Sequence, residues 1–343
     1  MGMSDFFGSV LTVLVAILAL PLFLSDPKYA TEIEQLSPAL QEWYNRGDMV
    51  EINGRNIFYI YSQCSDTTLT NPPTFVIIHG FPSSSHEYHR VLDPLLKYGN
   101  VMVHDHVGFG FSDKPATDYT YSMSEAADNA LSVWRALGIK SAHVIAHDMG
   151  DSILTEILAR RHRNMLPDYF KDFFASVMFS NGGMKYSEIN FRISQTLLSN
   201  IYAGPYFSKL SNRLGITEVF FKKQLWGIAG KVVNGEKMNF DIEMMHEILG
   251  YKGGRLITHK SIYYLWDRAH FEYRWFAALS ELDIPSKIVW GDSDAVAPQA
   301  IPQFISNLIP NTKLDFIPNA GHFIMLERPD VWIEHVKELP SLK

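Results

Sequence analysis

Short apolar runs and longer amphipathic segments alternate along most of the chain. The run at 74–78 is continuous and apolar, which is typical of a parallel strand buried on both faces. Segments of helical period follow such runs, so the pattern predicts a mostly parallel sheet with helices on both faces. The predicted strands are 49–52, 56–61, 74–78, 101–105, 142–147, 176–180, 286–290 and 313–317. The predicted helices are 38–44, 87–97, 123–137, 153–158, 299–308 and 329–339.

The alternation of strands and helices stops after Gly183 and resumes at Ser286. The residues between are rich in aromatics and methionine, have a helical character and contain no convincing strand. We interpret 184–275 as a helical lid inserted into a sheet domain formed by 47–183 and 276–343. Residues 26–46 are acidic and polar and are interpreted as a linker in front of that domain.

The first residues of the chain differ from the rest in composition. Residues 6–24 are almost wholly apolar, close to the ~20 residues that a helix needs to cross a bilayer. A cleaved signal peptide is the alternative, but no Lys or Arg precedes the run and no clear small-residue cleavage site follows it. We therefore expect residues 1–25 to be a single-pass membrane anchor, with the lipid bilayer as a partner. The flanking charges do not indicate which way this helix crosses the membrane.

Composition narrows the function classes. Thirty Lys and Arg against 37 Asp and Glu give a formal net charge of −7, which argues against nucleic acid as a partner. The single cysteine, Cys64, excludes an intrachain disulfide and a cysteine-rich metal site. No motif indicates a cofactor, so we expect none and no metal.

One carboxylate lies where a predicted strand turns abruptly into a helix. Asp148 has small residues two positions before and after it, Ala146 and Gly150, as a tight strand-turn-helix elbow requires. Such a turn lifts one side chain above the sheet edge, at a helix N-terminus that favours negative charge. Asp148 is either the N-cap of that helix or a nucleophile that forms an ester with its substrate.

Two further polar segments follow the last two predicted strands. Asp292 and Asp294 come directly after strand 286–290, and His322 follows strand 313–317. Because the carboxyl ends of parallel strands share one edge of a sheet, these side chains and Asp148 are expected at the same edge. Each segment alone is equally typical of a polar turn. All three, in the order nucleophile, acid and histidine, indicate a catalytic triad.

Five segments of the chain form a recognisable set. They are His79–Pro82, Gly108–Pro115, His147–Gly150, Trp290–Asp294 and Gly321–His322. Together they resemble the α/β-hydrolase group of epoxide hydrolases and haloalkane dehalogenases. Within that group the chain resembles the mesoderm-specific transcript family in particular, through residues 35–40, 108–115, 147–151 and 180–183 and the apolar N-terminus.

The resemblance implies a role for each matching residue. It implies that Asp148 is the nucleophile, that His322 is the base that activates water, and that Asp294 orients His322. The backbone N–H groups of Phe81 and Met149 would form the oxyanion hole. It also implies a single-pass protein of the endoplasmic reticulum membrane. His147 is interpreted as packed structure.

Departures from the family pattern narrow the substrate. Dehalogenases hold the leaving halide with side-chain donors at the places taken here by Phe81 and Met149, so that halide site is missing. An anionic substrate is not expected either, because Met149 and Asp151 occupy the neighbourhood where fluoroacetate-type enzymes carry arginines. Epoxide hydrolases use lid tyrosines to protonate the opening ring, and Tyr273 is our first choice. The other tyrosines in or near the lid are Tyr202, Tyr206, Tyr251, Tyr263 and Tyr264.

The sequence leaves three functions open. The first is an anchored hydrolase with an Asp nucleophile, acting on epoxides or another small, uncharged, lipophilic substrate. The second is lipid or acyl transfer, and the third is a hydrolase-fold binding protein without turnover. The complete set of Asp148, Asp294 and His322 argues against the third, because binding alone does not require it.

Overall fold

A computed structural model describes Thr12, Ala16, Ala19 and residues 25–228 and 235–341. Eight strands form one sheet in the order β1-β2-β4-β3-β5-β6-β7-β8. The strands β3 to β8 run parallel, and β2 is antiparallel to both of its neighbours. The strands are β1 (Asp48–Ile52), β2 (Arg55–Ser62), β3 (Thr74–Ile78), β4 (Asn100–His104), β5 (Ala142–His147), β6 (Phe174–Ser180), β7 (Ser286–Gly291) and β8 (Lys313–Ile317).

In the described part of the sheet domain, four α-helices connect successive parallel strands, one precedes β1 and two follow β8. Helix α3 begins after Ser122, whose hydroxyl accepts the Glu125 N–H at 3.2 Å and so caps the helix, as Ser residues do. The helices are α1 (Pro38–Tyr44), α2 (Leu92–Leu95), α3 (Met123–Ala136), α4 (Met149–His162), α11 (Ala300–Leu308), α12 (Ile324–Glu327) and α13 (Pro329–Lys337). The mostly parallel sheet with its helices confirms the predicted fold class.

The predicted helix at 87–97 is broken in the structure. A 3₁₀ turn at Ser85–Tyr88 precedes the short α2, which begins only at Leu92. Pro94 is the physical reason, because proline has no N–H to donate to the carbonyl of residue 90 and its ring crowds that carbonyl.

Between β6 and β7 the described chain is helical and forms no strand. Its helices are α5 (Ile193–Ser199), α6 (Ala203–Arg213), α7 (Ile216–Ile228), α8 (Gly235–Gly250), α9 (Thr258–Ser261) and α10 (Tyr264–Ser280). Helix α10 packs lengthwise against α4, the helix that begins at the predicted nucleophile. Residues of this segment therefore reach the Asp148 site directly.

The predicted linker at 26–46 packs onto the helical segment. The Arg213 Nε donates to the Asp26 Oδ1 at 2.7 Å, and the Ser37 N–H donates to the Glu247 Oε1 at 2.7 Å. The Leu40 side chain is fully buried. The polar composition concealed these contacts, because a few buried apolar residues suffice to fix such a segment.

The predicted membrane anchor falls mainly on residues 1–24, and all but three of these lie outside the described residues. Among the described helices, none combines the length and the apolar character that a membrane crossing requires.

Candidate active site

Asp148 is the residue at which strand β5 turns into helix α4. Its backbone has φ 47° and ψ −108°, a conformation that L-residues rarely adopt and that marks a strained turn. The turn also requires small neighbours: a Cβ on Gly150 would lie 2.3 Å from the Ile78 carbonyl oxygen, and one on Gly80 would lie 2.6 Å from the Asp148 Cβ. The sequence thus folds here into the elbow that its small residues predict.

The Asp148 carboxylate is buried, with 4% of the residue exposed, and its two oxygens have different partners. The Oδ2 accepts the Phe81 N–H at 3.0 Å. The Oδ1 lies 3.3 Å from the Arg268 Nη2. One oxygen is thus held by a backbone donor, and the other faces a cation.

Met149, the second predicted oxyanion-hole residue, follows Asp148 as the first residue of α4. The N–H of a first helical residue has no acceptor within its own helix. Of these two predicted donors, the Phe81 N–H is hydrogen-bonded to the Asp148 carboxylate.

Asp294 and His322 meet at the carboxyl ends of β7 and β8. The His322 Nδ1 lies 2.9 Å from the Asp294 Oδ2. The Asp294 Oδ1 accepts the N–H groups of Val296 at 2.7 Å and Ala297 at 3.0 Å, and the Asn181 Nδ2 donates to its Oδ2 at 2.7 Å. Asp294 is therefore fixed as an acceptor for His322. Asn181 is a supporting residue that the sequence analysis did not assign.

The charges of the site hold Asp148 ionised and His322 protonated at neutral pH. Burial alone would raise the pKa of Asp148, but the charges of Arg268, His322 and His147 and the Phe81 N–H outweigh it and lower that pKa. Burial alone would lower the pKa of His322, but the carboxylates of Asp294, Asp148 and Glu87 outweigh it and raise that pKa to about 9.

His147 is positioned by two contacts rather than aimed at a substrate. Its Nδ1 lies 3.1 Å from the Glu87 Oε1, and its Nε2 lies 2.9 Å from the His322 carbonyl oxygen. Both ring nitrogens are thereby occupied. These contacts are consistent with a packing role for His147, since its ring links the turn at Asp148 to the loop that carries His322.

Asp151 lies on the first turn of α4, also fully buried. Its Oδ1 accepts the Ser180 N–H at 3.2 Å. Burial raises the pKa of Asp151 well above its usual range, although Ser180 and Arg268 lower it. The charge of Asp148 raises the pKa of Asp151 further.

Tyr273 does not reach this site. It is 78% exposed and lies on the outer face of α10. Tyr264, nine residues earlier on the same helix, is buried with its ring 5.7 Å from that of Phe81. Nine residues at about 100° each amount to two and a half turns, so the two tyrosines point to opposite faces. The choice of Tyr273 as the lid tyrosine was therefore wrong in its placement, and the structure brings Tyr264 to the site instead.

Arg268 was missed by the sequence analysis. It lies one helical turn after Tyr264, is 2% exposed, and stacks over the Tyr264 ring at 4.6 Å. The residues next to Asp148 in sequence include no arginine and therefore indicate an uncharged substrate. The structure, however, brings an arginine to Asp148 from α10. The only sequence signal was the Tyr-x-x-x-Arg spacing, which places both side chains on one face of a helix.

A surface cleft of about 290 Å³ opens between the loop at Tyr119 and the helical segment, with Asn200, Lys260 and Tyr263 among its lining residues. A small void of about 10 Å³ is lined by Phe109, Met149 and Tyr119, among other residues. Tyr119 thus lines both spaces.

Comparisons with known proteins identify the family of the chain. The alpha/beta hydrolase fold family matches residues 73–329. The mesoderm-specific transcript protein of Mus musculus is 29% identical over 92% of this chain and 91% of its own. LipZ of Mycobacterium tuberculosis, whose name describes it as a hydrolase, is 30% identical over 87% of this chain and 96% of its own.

Solved structures show the same fold. The haloalkane dehalogenase DbeA from Bradyrhizobium elkani superimposes with a TM-score of 0.69 at 18% identity, over 86% of this chain and 97% of its own. Est816, described as an N-acyl homoserine lactone degrading enzyme, has a TM-score of 0.63 at 20% identity, over 84% of this chain and 99% of its own. The predicted resemblances to hydrolases and to mesoderm-specific transcript proteins are confirmed, and the chain belongs to the alpha/beta hydrolase fold family.

Proposed function

We propose that this hydrolase uses Asp148 as a nucleophile and works through a covalent ester, with an epoxide as the electrophile. The observation that carries the proposal is the asymmetry of the Asp148 carboxylate. Its Oδ2 already accepts an N–H from the predicted oxyanion hole, and its Oδ1, which lies 3.3 Å from the Arg268 Nη2, is the oxygen that attacks. A carboxylate held in this way has the geometry that nucleophilic catalysis requires.

In the first step the Asp148 Oδ1 attacks a ring carbon of the epoxide. A carbon–oxygen bond forms, the bond from that carbon to the ring oxygen breaks, and the ring oxygen takes the electron pair. The Tyr264 hydroxyl supplies a proton to that oxygen, as a general acid. The site then holds an Asp148 ester, a neutral alcohol and the Tyr264 phenolate.

In the second step water hydrolyses the ester. His322 takes a proton from water, and the water oxygen adds to the Asp148 Cγ, which places negative charge on Oδ2. The Phe81 N–H already contacts Oδ2, and an oxyanion-hole donor is worth roughly 3 kcal/mol in comparable enzymes. The bond between Cγ and Oδ1 then breaks as His322 returns its proton to Oδ1, so the product diol leaves with Oδ1 and Asp148 keeps the oxygen from water. The second proton of that water passes from the new Asp148 carboxyl group to the Tyr264 phenolate, which restores the starting site.

Ester formation also prepares His322 for its role. Asp148 is one of the carboxylates that raise the pKa of His322 to about 9. The ester carries no charge, so this contribution disappears once the substrate is bound covalently, and the pKa falls. The imidazole therefore becomes a base at the step that needs one.

The fate of the oxygen atoms tests the proposal. Turnover of styrene oxide in H₂¹⁸O is expected to place ¹⁸O in the side chain of Asp148, read by mass spectrometry of its proteolytic peptide. In a single turnover the product is expected to carry only ¹⁶O. Labelled product with an unlabelled Asp148 would mean that water attacks the substrate directly, and the ester mechanism would be wrong.

Tyr264→Phe is expected to lower epoxide turnover by about 100-fold or more, because the opening ring loses its proton donor. Tyr273→Phe is the matched control on the same helix and should leave the rate unchanged, since that side chain lies in solvent. The measurement is kcat/KM for styrene oxide in both variants. An equal loss in both variants, or no loss in Tyr264→Phe, would remove Tyr264 from the mechanism.

We also propose that residues 1–25 hold the protein on a membrane, that of the endoplasmic reticulum. The support is the apolar run at 6–24, whose length suits a spanning helix. The full chain is expected to stay with membranes during alkaline carbonate extraction. A variant that starts at Asp26 should be released and remain active, because it keeps the Asp26–Arg213 contact. Release of the full chain, or its recovery already shortened near residue 25, would contradict the anchor.

A further inference from the structure

Arg268 is a buried cation whose contacts leave it only partly occupied. Its Nε donates to the Ser152 Oγ at 2.8 Å, and its Nη2 donates to the Asp148 carbonyl oxygen at 2.8 Å. Its contact to the Asp148 Oδ1, at 3.3 Å, is longer than the 2.7–2.9 Å typical of charge-assisted hydrogen bonds. Among the described carboxylates, Asp148 alone lies within 4.0 Å of this guanidinium.

This placement opposes the attack on an uncharged substrate. The guanidinium stabilises negative charge on Oδ1, and that charge leaves Oδ1 as the new bond forms. The leaving atom departs on the far side of the attacked carbon. It therefore moves away from Arg268, which contacts both Oδ1 and the carbonyl oxygen of Asp148. Arg268 therefore stabilises the ground state more than the transition state, which by itself slows the reaction.

An anionic group on the substrate would reverse this effect. A carboxylate beside the attacked carbon can take the Nη1–Nη2 edge of Arg268 as a two-point contact, which releases Oδ1 for attack. Gly183 packs closely against Nη1, since a Cβ at that position would lie 2.5 Å from the nitrogen. The buried cation also keeps a partner after Asp148 becomes a neutral ester, and a buried unpaired charge is costly.

We propose that Arg268 selects substrates bearing a carboxylate or similar anion on, or next to, the carbon that Asp148 attacks. The proposal rests on the proposed function, and it names the substrate class of that site. It replaces the uncharged substrate that the sequence analysis favoured, because the cation responsible comes from a distant helix.

Two probes of equal shape test the selection. They are trans-3-phenylglycidate, which carries a carboxylate next to the epoxide, and trans-3-phenylglycidamide, which is uncharged. The full-length protein is expected to hydrolyse the carboxylate with a kcat/KM at least about 100-fold above that of the amide, as charged recognition sites discriminate. Arg268→Met should bring the two rates within a few-fold of each other, mainly through the loss of carboxylate turnover.

Two further variants separate charge from structure. Arg268→Lys keeps the charge without the planar fork and should retain part of the preference, even if Arg268→Met does not fold. Asp151→Asn is the matched control at the other buried carboxyl group near this cation, and it should leave the preference intact.

The outcomes distinguish this inference from the proposed function. Equal turnover of the two probes by the unaltered protein would overturn the inference. An equal fall of both rates in Arg268→Met would also overturn it, because the arginine would then act on the leaving oxygen. Turnover of styrene oxide with neither glycidate probe accepted would overturn the inference alone. Failure of every epoxide to label Asp148 would overturn the proposed function.

Discussion

Replacing His322 by Gln should leave an alkylated protein that accumulates and does not turn over. The first step needs only Asp148 and an acid for the leaving oxygen, so the ester still forms. The second step needs a base beside the Asp148 Cγ, and Gln cannot accept a proton from water. We expect stoichiometric mass addition on the peptide that contains Asp148, with steady-state turnover reduced by on the order of 10³-fold or more.

The companion variant is Asp148→Asn, which keeps the size of the side chain and removes its charge. It should neither form the adduct nor turn over, and the double variant should resemble it. Normal turnover in His322→Gln would remove His322 as the base. An adduct of equal yield in Asp148→Asn would place the nucleophile elsewhere, so the two variants separate errors in the two assignments.

The fold and the three triad positions could be predicted because each depends on local sequence. The apolar runs identify the parallel strands, and strand ends of one direction share an edge. Small residues around Asp148 report a tight turn directly, and in the structure a Cβ at either Gly80 or Gly150 would collide with its neighbours. Composition and spacing suffice for features of this kind.

Arg268 and Tyr264 could not be found in the same way. Their role depends on which face of α10 packs against α4. The sequence of a helix alone does not show which of its faces the packing partner covers. An error of half a turn separates buried Tyr264 from exposed Tyr273. Arg268 reaches a residue 120 positions earlier in the chain, and no local pattern records that contact.

The same limit explains why the supporting contacts of the triad escaped notice. Asn181 follows β6 and reaches Asp294 across the sheet edge, a separation of 113 positions. Glu87 and His147 meet across 60 positions. Each of these residues taken alone is compatible with an ordinary polar turn, and only the assembled sheet gives it a partner.

Asp294→Asn should lower turnover by on the order of 10³- to 10⁴-fold, because an amide can neither hold the correct tautomer of His322 nor balance its charge. Asp294 is the first among the groups that raise the pKa of His322 to about 9. Its loss lowers that pKa, so the remaining hydrolysis of the ester should reach its plateau at a lower pH than in the unaltered protein. Asp292→Asn is the matched control, since among the described residues its carboxylate is hydrogen-bonded only to the neighbouring Ser293 hydroxyl. It should leave the rate and the pH profile unchanged.

The same substitution has a stability signature whose sign follows from the pKa. A histidine with a pKa of about 9 in the folded protein and about 6.5 when unfolded stabilises the fold below pH 6.5, and this contribution is lost as the pH rises through 9. The unaltered protein should therefore lose more stability than Asp294→Asn between pH 6.5 and 9, because Asp294 makes the largest favourable contribution to that pKa. Urea unfolding of both proteins at several pH values measures the difference. Parallel stability curves would show that the Asp294–His322 pair is not charged in the folded protein. In the kinetic experiment, a loss of kcat in Asp292→Asn instead of Asp294→Asn would make Asp292 the acid of the triad.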